Sequence, residues 1–207
     1  MKKITSILFL SLFTASCLFA QTEMKNAIKV TPITIIKGQA IMIHYERVVF
    51  KNMTAGIGVA PVVMGPLIGS LAFPVDKFKS GIAIDPEIRW YAKSDKVMDG
   101  FFFGLYNSNR FSSWESSADY SSIFLLDPTY TGTENTKLNV SARKTIVGIQ
   151  LGTHRLLGKH FSVDFYSGVG FSGSKTTAKY ADTKEVYDEV SAGGVNLRLN
   201  VALGWRF

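Results

Sequence analysis

The chain has 207 residues, a formal net charge of +7 and one cysteine. That length fits one domain with a sizeable core, and a lone Cys17 excludes a disulfide framework. Beyond residue 20 no apolar run is long enough for a membrane-crossing helix, which excludes a helical inner-membrane protein. The basic residues form no cluster and no aromatic-interleaved stripe, which argues against nucleic acid as a partner.

The first residues, MKKITSILFLSLFTASCLFAQ, set Lys2 and Lys3 before an apolar run from Ile4 to Phe13, with Leu18-Phe19-Ala20 ahead of Gln21. This is the pattern of a secretory leader over residues 1–20, followed by a mature domain over 21–207. Thr14-Ala15-Ser16-Cys17 leaves one alternative open, lipidation at Cys17. Against it stand Thr14, where such a box has Leu, and the apolar residues after the cysteine. Cleavage after Ala20 leaves 21 basic against 16 acidic residues and a net charge of +5. On an exported protein, that balance suits anionic lipid phosphate.

Alternation with period two then marks eight strands, at residues 26–36, 40–50, 54–63, 81–93, 101–110, 140–154, 161–172 and 195–207. The first is the least regular, because Ile33, Ile35 and Ile36 break its alternation. In the fourth, Ile82, Ile84, Pro86, Ile88 and Trp90 oppose Ala83, Asp85, Glu87, Arg89 and Tyr91. The last reads VNLRLNVALGWRF, with Leu197, Leu199, Leu203, Trp205 and Phe207 on one face and Arg198, Asn200, Gly204 and Arg206 on the other. A helical period of 3.6 would scatter both sets around the cylinder.

Glycines identify what the polar faces look at. Gly56, Gly58, Gly104, Gly148, Gly152, Gly168, Gly170 and Gly204 all fall opposite the apolar face of their strands. Glycine weakens a strand unless something must pass close by. A narrow closed barrel has that need on its inside, whereas the polar face of a soluble sandwich looks at open water. The connections agree, with the first, Lys37 to Gln39, as the exception: short ones near 51–53, 94–100 and 155–160 alternate with long ones at 64–80, 111–139 and 173–194. Sorting of loop length by end is a property of outer-membrane barrels. With both termini at the short-turn end, Phe50, Trp90, Phe101, Phe103, Phe161, Trp205 and Phe207 fall at one level of the apolar wall, where such barrels carry an aromatic girdle.

A leader ending in Ala-Gln, alternating strands and a final strand closing on Trp205-x-Phe207 together resemble small bacterial outer-membrane β-barrels. The segments KNAIKVTPITIIKGQAIMIHYERVV and IDPEIRWYAK are similar to uncharacterised members from Bacteroidetes-type bacteria. The resemblance covers nearly all of the mature chain and implies that the terminal aromatic strand is read by the barrel-assembly machinery. It carries no catalytic residues.

The expected fold is therefore all-β: a single antiparallel up-and-down transmembrane β-barrel of about eight strands, or ten if the long loops pair as hairpins. At eight strands the interior is just wide enough to be filled by side chains. The inward set includes His44, Glu46, Asp85, Glu87, Arg89, Tyr106, Arg110, Asp164, Tyr166, Arg198 and Arg206. Both signs of charge are present, so the expectation is a paired plug rather than a pore. His44 with Glu46 is too small a set for a metal, and no cofactor motif occurs. His160-Phe161-Ser162 has the His-x-Ser spacing of lipid A deacylases, but parity sets both on the inner face at the turn-side rim, away from outer-leaflet lipid. The apolar loop segments 64–74 and 121–130, including Ile123, Phe124, Leu125 and Leu126, suggest a contact site for an extracellular ligand or protein within loops 64–80 and 111–139. The expected function is a non-enzymatic structural or surface-interaction barrel surrounded by outer-membrane lipid, including lipopolysaccharide. A small passive or hydrophobic-ligand channel is the alternative, followed by a lipid hydrolase.

Overall fold

Strands form wherever the alternation exists, and in places beyond it. A computed structural model of the protein describes residues 24–32, 41–62, 77–92, 98–118, 136–180, 186–191 and 193–207. The strands are β1 (Asn26–Thr31), β2 (Met42–Phe50), β3 (Met53–Pro61), β4 (Lys77–Tyr91), β5 (Gly100–Ala118), β6 (Thr136–Leu157), β7 (Phe161–Tyr180), β8 (Val186–Ser191) and β9 (Val195–Arg206). Residues 1–23, and with them the leader and Cys17, lie outside the described residues. So do the loop segments 64–74 and 121–130.

Each strand pairs antiparallel with the next from β1 to β7; β9 then pairs with both β7 and β1, closing the ring. β8 continues the line of β9 along β7, since Val195 stands opposite Phe171 and Ser191 opposite Ser174. β8 and β9 thus form one interrupted stave, and the barrel has eight staves. Asn26 and Phe207 exchange backbone hydrogen bonds of 3.1 and 3.0 Å, so the seam is sealed to its last residue. Where β9 joins β1 and β7 the ring leaves no unpaired edge, while β8 pairs with β7 alone among the described residues.

The two faces separate as the alternation requires. Along β9, Leu197 and Leu199 are 81% and 69% exposed on the outside, while Arg198 and Asn200 are 6% and 3% exposed inside. Equivalent apolar residues form a belt around the wall, among them Ile43, Ile57, Ile88, Leu105, Ile149 and Phe165. The inner glycines make room for large neighbours. A Cβ on Gly148 would lie 2.7 Å from Tyr106 Cζ, and one on Gly170 would lie 2.8 Å from Tyr106 Oη. The tyrosine ring occupies the space those side chains lack.

Three connections expected as loops are partly strand. β5, β6 and β7 run to 19, 22 and 20 residues. Residues 77–80, 111–118, 136–139 and 173–180 therefore belong to the wall, and 186–191 form β8. Apolar alternation stops near Phe111, Val147 and Phe171, but backbone pairing continues on Ser, Thr, Asn and Lys, which satisfy a ladder as well in water as Val does in hydrocarbon. At about 3.3 Å per residue a 22-residue strand is roughly 70 Å long, far more than a tilted bilayer crossing of about ten residues needs. At the other end the β2–β3 and β6–β7 connections are tight turns, Gly158 taking φ of +82° in the second.

Candidate functional site: the ion network of the lumen

Inward positions of β1, β2, β4, β6 and β7 converge on a buried charged cluster. Lys29 Nζ lies 2.5 Å from Glu46 Oε2 and 2.6 Å from Asp164 Oδ2. It is 3.0 Å from His154 Nδ1. Arg89 Nη1 reaches Asp164 Oδ2 at 2.7 Å and Glu46 Oε2 at 3.4 Å, and its Nε lies 2.5 Å from Glu87 Oε1. Thr54 and Tyr91 donate their hydroxyls to Glu46 Oε1 at 2.5 and 2.9 Å. His154 Nδ1 is also 2.6 Å from Asp164 Oδ1. All these side chains are buried. Two carboxylates at the centre of a narrow tube are tolerable only because two cations and two hydroxyls saturate them.

A second tier lies toward the loop side. Gln150 donates to Glu87 Oε2 at 2.9 Å, and the His44 ring stands 3.7 Å from Glu87 Oε1. Arg198 lies 3.6 Å from Asp85 and 3.9 Å from Glu87. Aromatic rings fill the space between the cations: Arg89 is 4.4 Å above the Phe102 ring, and Arg198 is 4.6 Å above Tyr106 and 5.2 Å above Tyr166. Ala27, Tyr91, Met98, Phe102, Tyr166 and Ala202 pack together as an apolar cluster beside these charges. Such cation–ring stacks and charge pairs hold one geometry.

The structure brings His44, Glu46, Asp85, Glu87, Arg89, Asp164 and Arg198 together inside the barrel, with Arg206 buried near the turn-side rim. Arg110 sits half-buried on the inner side of β5. Lys29, Gln150 and His154 complete the network and were absent from the expected set. Parity carried the signal for each: Ala27, Lys29 and Thr31 share a face, as do Gly148, Gln150, Gly152 and His154. Outside, Trp90 stacks on Phe103 at 6.3 Å, and Trp205 is 54% exposed at the same end as Phe207.

One placement is corrected. His160 is not on the inner face: it lies in the β6–β7 turn, donates from Nδ1 to the Arg206 carbonyl at 3.0 Å, and stacks at 4.9 Å on outward Trp205. Parity fails there because a turn residue is not bound to strand alternation. Ser162 is fully buried inside the barrel, so the pair faces opposite sides of the wall.

Glu46, His154 and Asp164 present ligand atoms within 4.8 Å of one another, a grouping suited to a cation. The Lys29 ammonium already contacts all three. The cation of this site is a side chain of the protein itself.

The architecture thus defines a class: a closed eight-staved β-barrel, apolar outside, with a lumen packed by paired charges. The chain belongs to the family described as protein of unknown function (DUF3575), which matches residues 71–198. Among solved structures it is similar to a major outer membrane protein from Thermus thermophilus, with 11% identity, a TM-score of 0.43, and coverage of 88% of this chain and 98% of that one. No curated protein matches.

Proposed function

We propose that the protein spans a bacterial outer membrane as a non-enzymatic barrel with a plugged lumen, serving a structural or surface-interaction role. The observation that carries this reading is the pairing of an apolar exterior with an interior that holds buried ion pairs. Exposed Leu197, Leu199 and Phe171 cost nothing in hydrocarbon and a great deal in water. Charged Glu46 and Asp164 need the converse environment, screened from lipid and matched by Lys29 and Arg89. Its partners are outer-membrane lipid, including lipopolysaccharide, the assembly machinery that reads the Trp205-x-Phe207 end, and a ligand or protein met by the loop-side segments 64–80 and 111–139. Export by the N-terminal leader belongs to the same reading.

The test is single-channel recording in planar bilayers, after an unboiled sample has shown the faster gel migration of a folded barrel. A plugged lumen gives a quiet baseline. Steady conductance steps would instead mark an open passive channel, and a change in lipid A mass on expression would mark a hydrolase.

A further inference from the structure

We propose that the loop-side exterior of β5–β7 holds a docking site for the phosphate headgroup of an outer-leaflet lipid, centred on Arg143. The proposal rests on the membrane reading above and goes further by naming a ligand chemistry and its residues.

Register sets Ile82, Phe111, Arg143 and Lys175 side by side across four strands, all on the outer face. The next row toward the loops carries hydroxyls, Ser80, Ser113 and Ser141. A groove of about 480 Å³ lies over these two rows. The register shift between Phe78 and Ser80 marks a bulge in the adjoining stretch of β4, and bulges bend the strand that carries them. The Arg143 guanidinium stands 5.3 Å over the Phe111 ring, which steadies a planar donor beside the groove.

Height and charge identify the occupant. Arg143 is four residues before Val147 in the chain, and Lys175 four after Phe171, the last large apolar positions on the loop side of β6 and β7. On tilted strands that is roughly 10 Å beyond the belt, the depth of polar headgroups. Ile82 and Phe111 then border the groove on the membrane side, where an acyl chain can leave along the apolar wall. Arg143 and Lys175 are direct cross-strand neighbours, so two basic side chains face one anion-sized space beside the groove. Lys77, Lys79, Lys137 and Lys179 are also exposed on this side of the barrel. Glu115, the acidic side chain described among them, is engaged by Lys79 at 3.0 Å, and β8 brings Asp188 to the register position opposite Thr177. The local balance is basic, which suits a phosphate.

The experiment is native mass spectrometry of the folded barrel in detergent, incubated with diphosphoryl lipid A or its dephosphorylated counterpart. The wild type is expected to retain the phosphorylated lipid preferentially. Arg143→Gln with Lys175→Gln should lower that retention about thirtyfold, taking about 1 kcal/mol per basic residue at an anionic membrane surface. Arg143→Lys, keeping Lys175, should restore most of it. Equal retention of the two lipids, undiminished retention by the double variant, or displacement of the lipid by millimolar inorganic phosphate would each overturn the proposal. Both positions are exposed, so every variant should keep the folded-barrel gel shift. Loss of that shift in the wild type would defeat the membrane reading instead, so the two failures are distinct.

Discussion

Replacing Lys29 by methionine removes one positive charge from the centre of the lumen while keeping most of the side-chain volume. Lys29 Nζ contacts Glu46 and Asp164 at 2.5 and 2.6 Å, and both carboxylates are fully buried. With charge centres near 4 Å and an effective dielectric of about 20, each attraction is worth about 4 kcal/mol. Repulsion from Arg89 and the relieved desolvation of the ammonium offset part of the loss. The remainder should be about 3–5 kcal/mol, as found when one partner of a buried ion pair is removed. Lys29→Met should therefore unfold at distinctly lower denaturant concentration, followed by the gel shift of the folded barrel in micelles. Lys29→Met combined with Glu46→Gln should recover much of the loss, because a neutral amide no longer needs the ammonium. A single variant within about 1 kcal/mol of wild type, or a double variant worse than the sum of the two singles, would refute the account of the lumen as a charge-balanced plug.

Three further outcomes follow from the geometry. Gly170→Leu drives a side chain toward Tyr106 and the Val147 carbonyl and should cost about 1–3 kcal/mol by overpacking, with Tyr106→Ala relieving part of it; fully additive losses in the same denaturation assay would contradict the close approach to Tyr106. Leu151→Arg places a charge on the exposed apolar wall near mid-belt and should cost about 2–4 kcal/mol in a bilayer, whereas an unchanged midpoint would argue against lipid contact at Leu151. Above the belt, the hydrogen bond and charge of Lys79 hold the Glu115 carboxyl below its ordinary value. Lys79→Gln should raise it in an NMR titration. A depressed carboxylate contributes above its unfolded value and loses that contribution as pH falls through the folded one, so the small effect of this exposed pair should fade on acidification.

The belt-level part of the fold was legible because an apolar outer wall and a narrow lumen impose opposite demands on alternate residues. Leu197 and Arg198 cannot exchange faces, and Gly148 cannot carry a side chain beside Tyr106. Above the belt only one demand remains, backbone pairing, and segments such as 111–118 and 173–180 satisfy it with Ser, Lys and Thr that also suit a loop. Their strand character was therefore hidden. The lumen charges were legible as a set, but their partners were not. Nothing local in the sequence tells that Lys29 on β1 meets Asp164 on β7; that contact exists only because the ring closes between β1 and β9. His160 shows the limit of parity, which holds along a ladder and ends at the turn.

The central claim is one of direction: apolar side chains face lipid and charged ones fill the tube. The three tryptophans report on it, since Trp90 and Trp205 lie on the outer face and Trp114 is fully buried inside. In proteoliposomes containing brominated lipid, single-tryptophan variants keeping Trp90 or Trp205 should be strongly quenched, and the variant keeping Trp114 should not. Quenching of Trp114 with Trp90 and Trp205 protected would mean that the wall is inside out and the account is wrong.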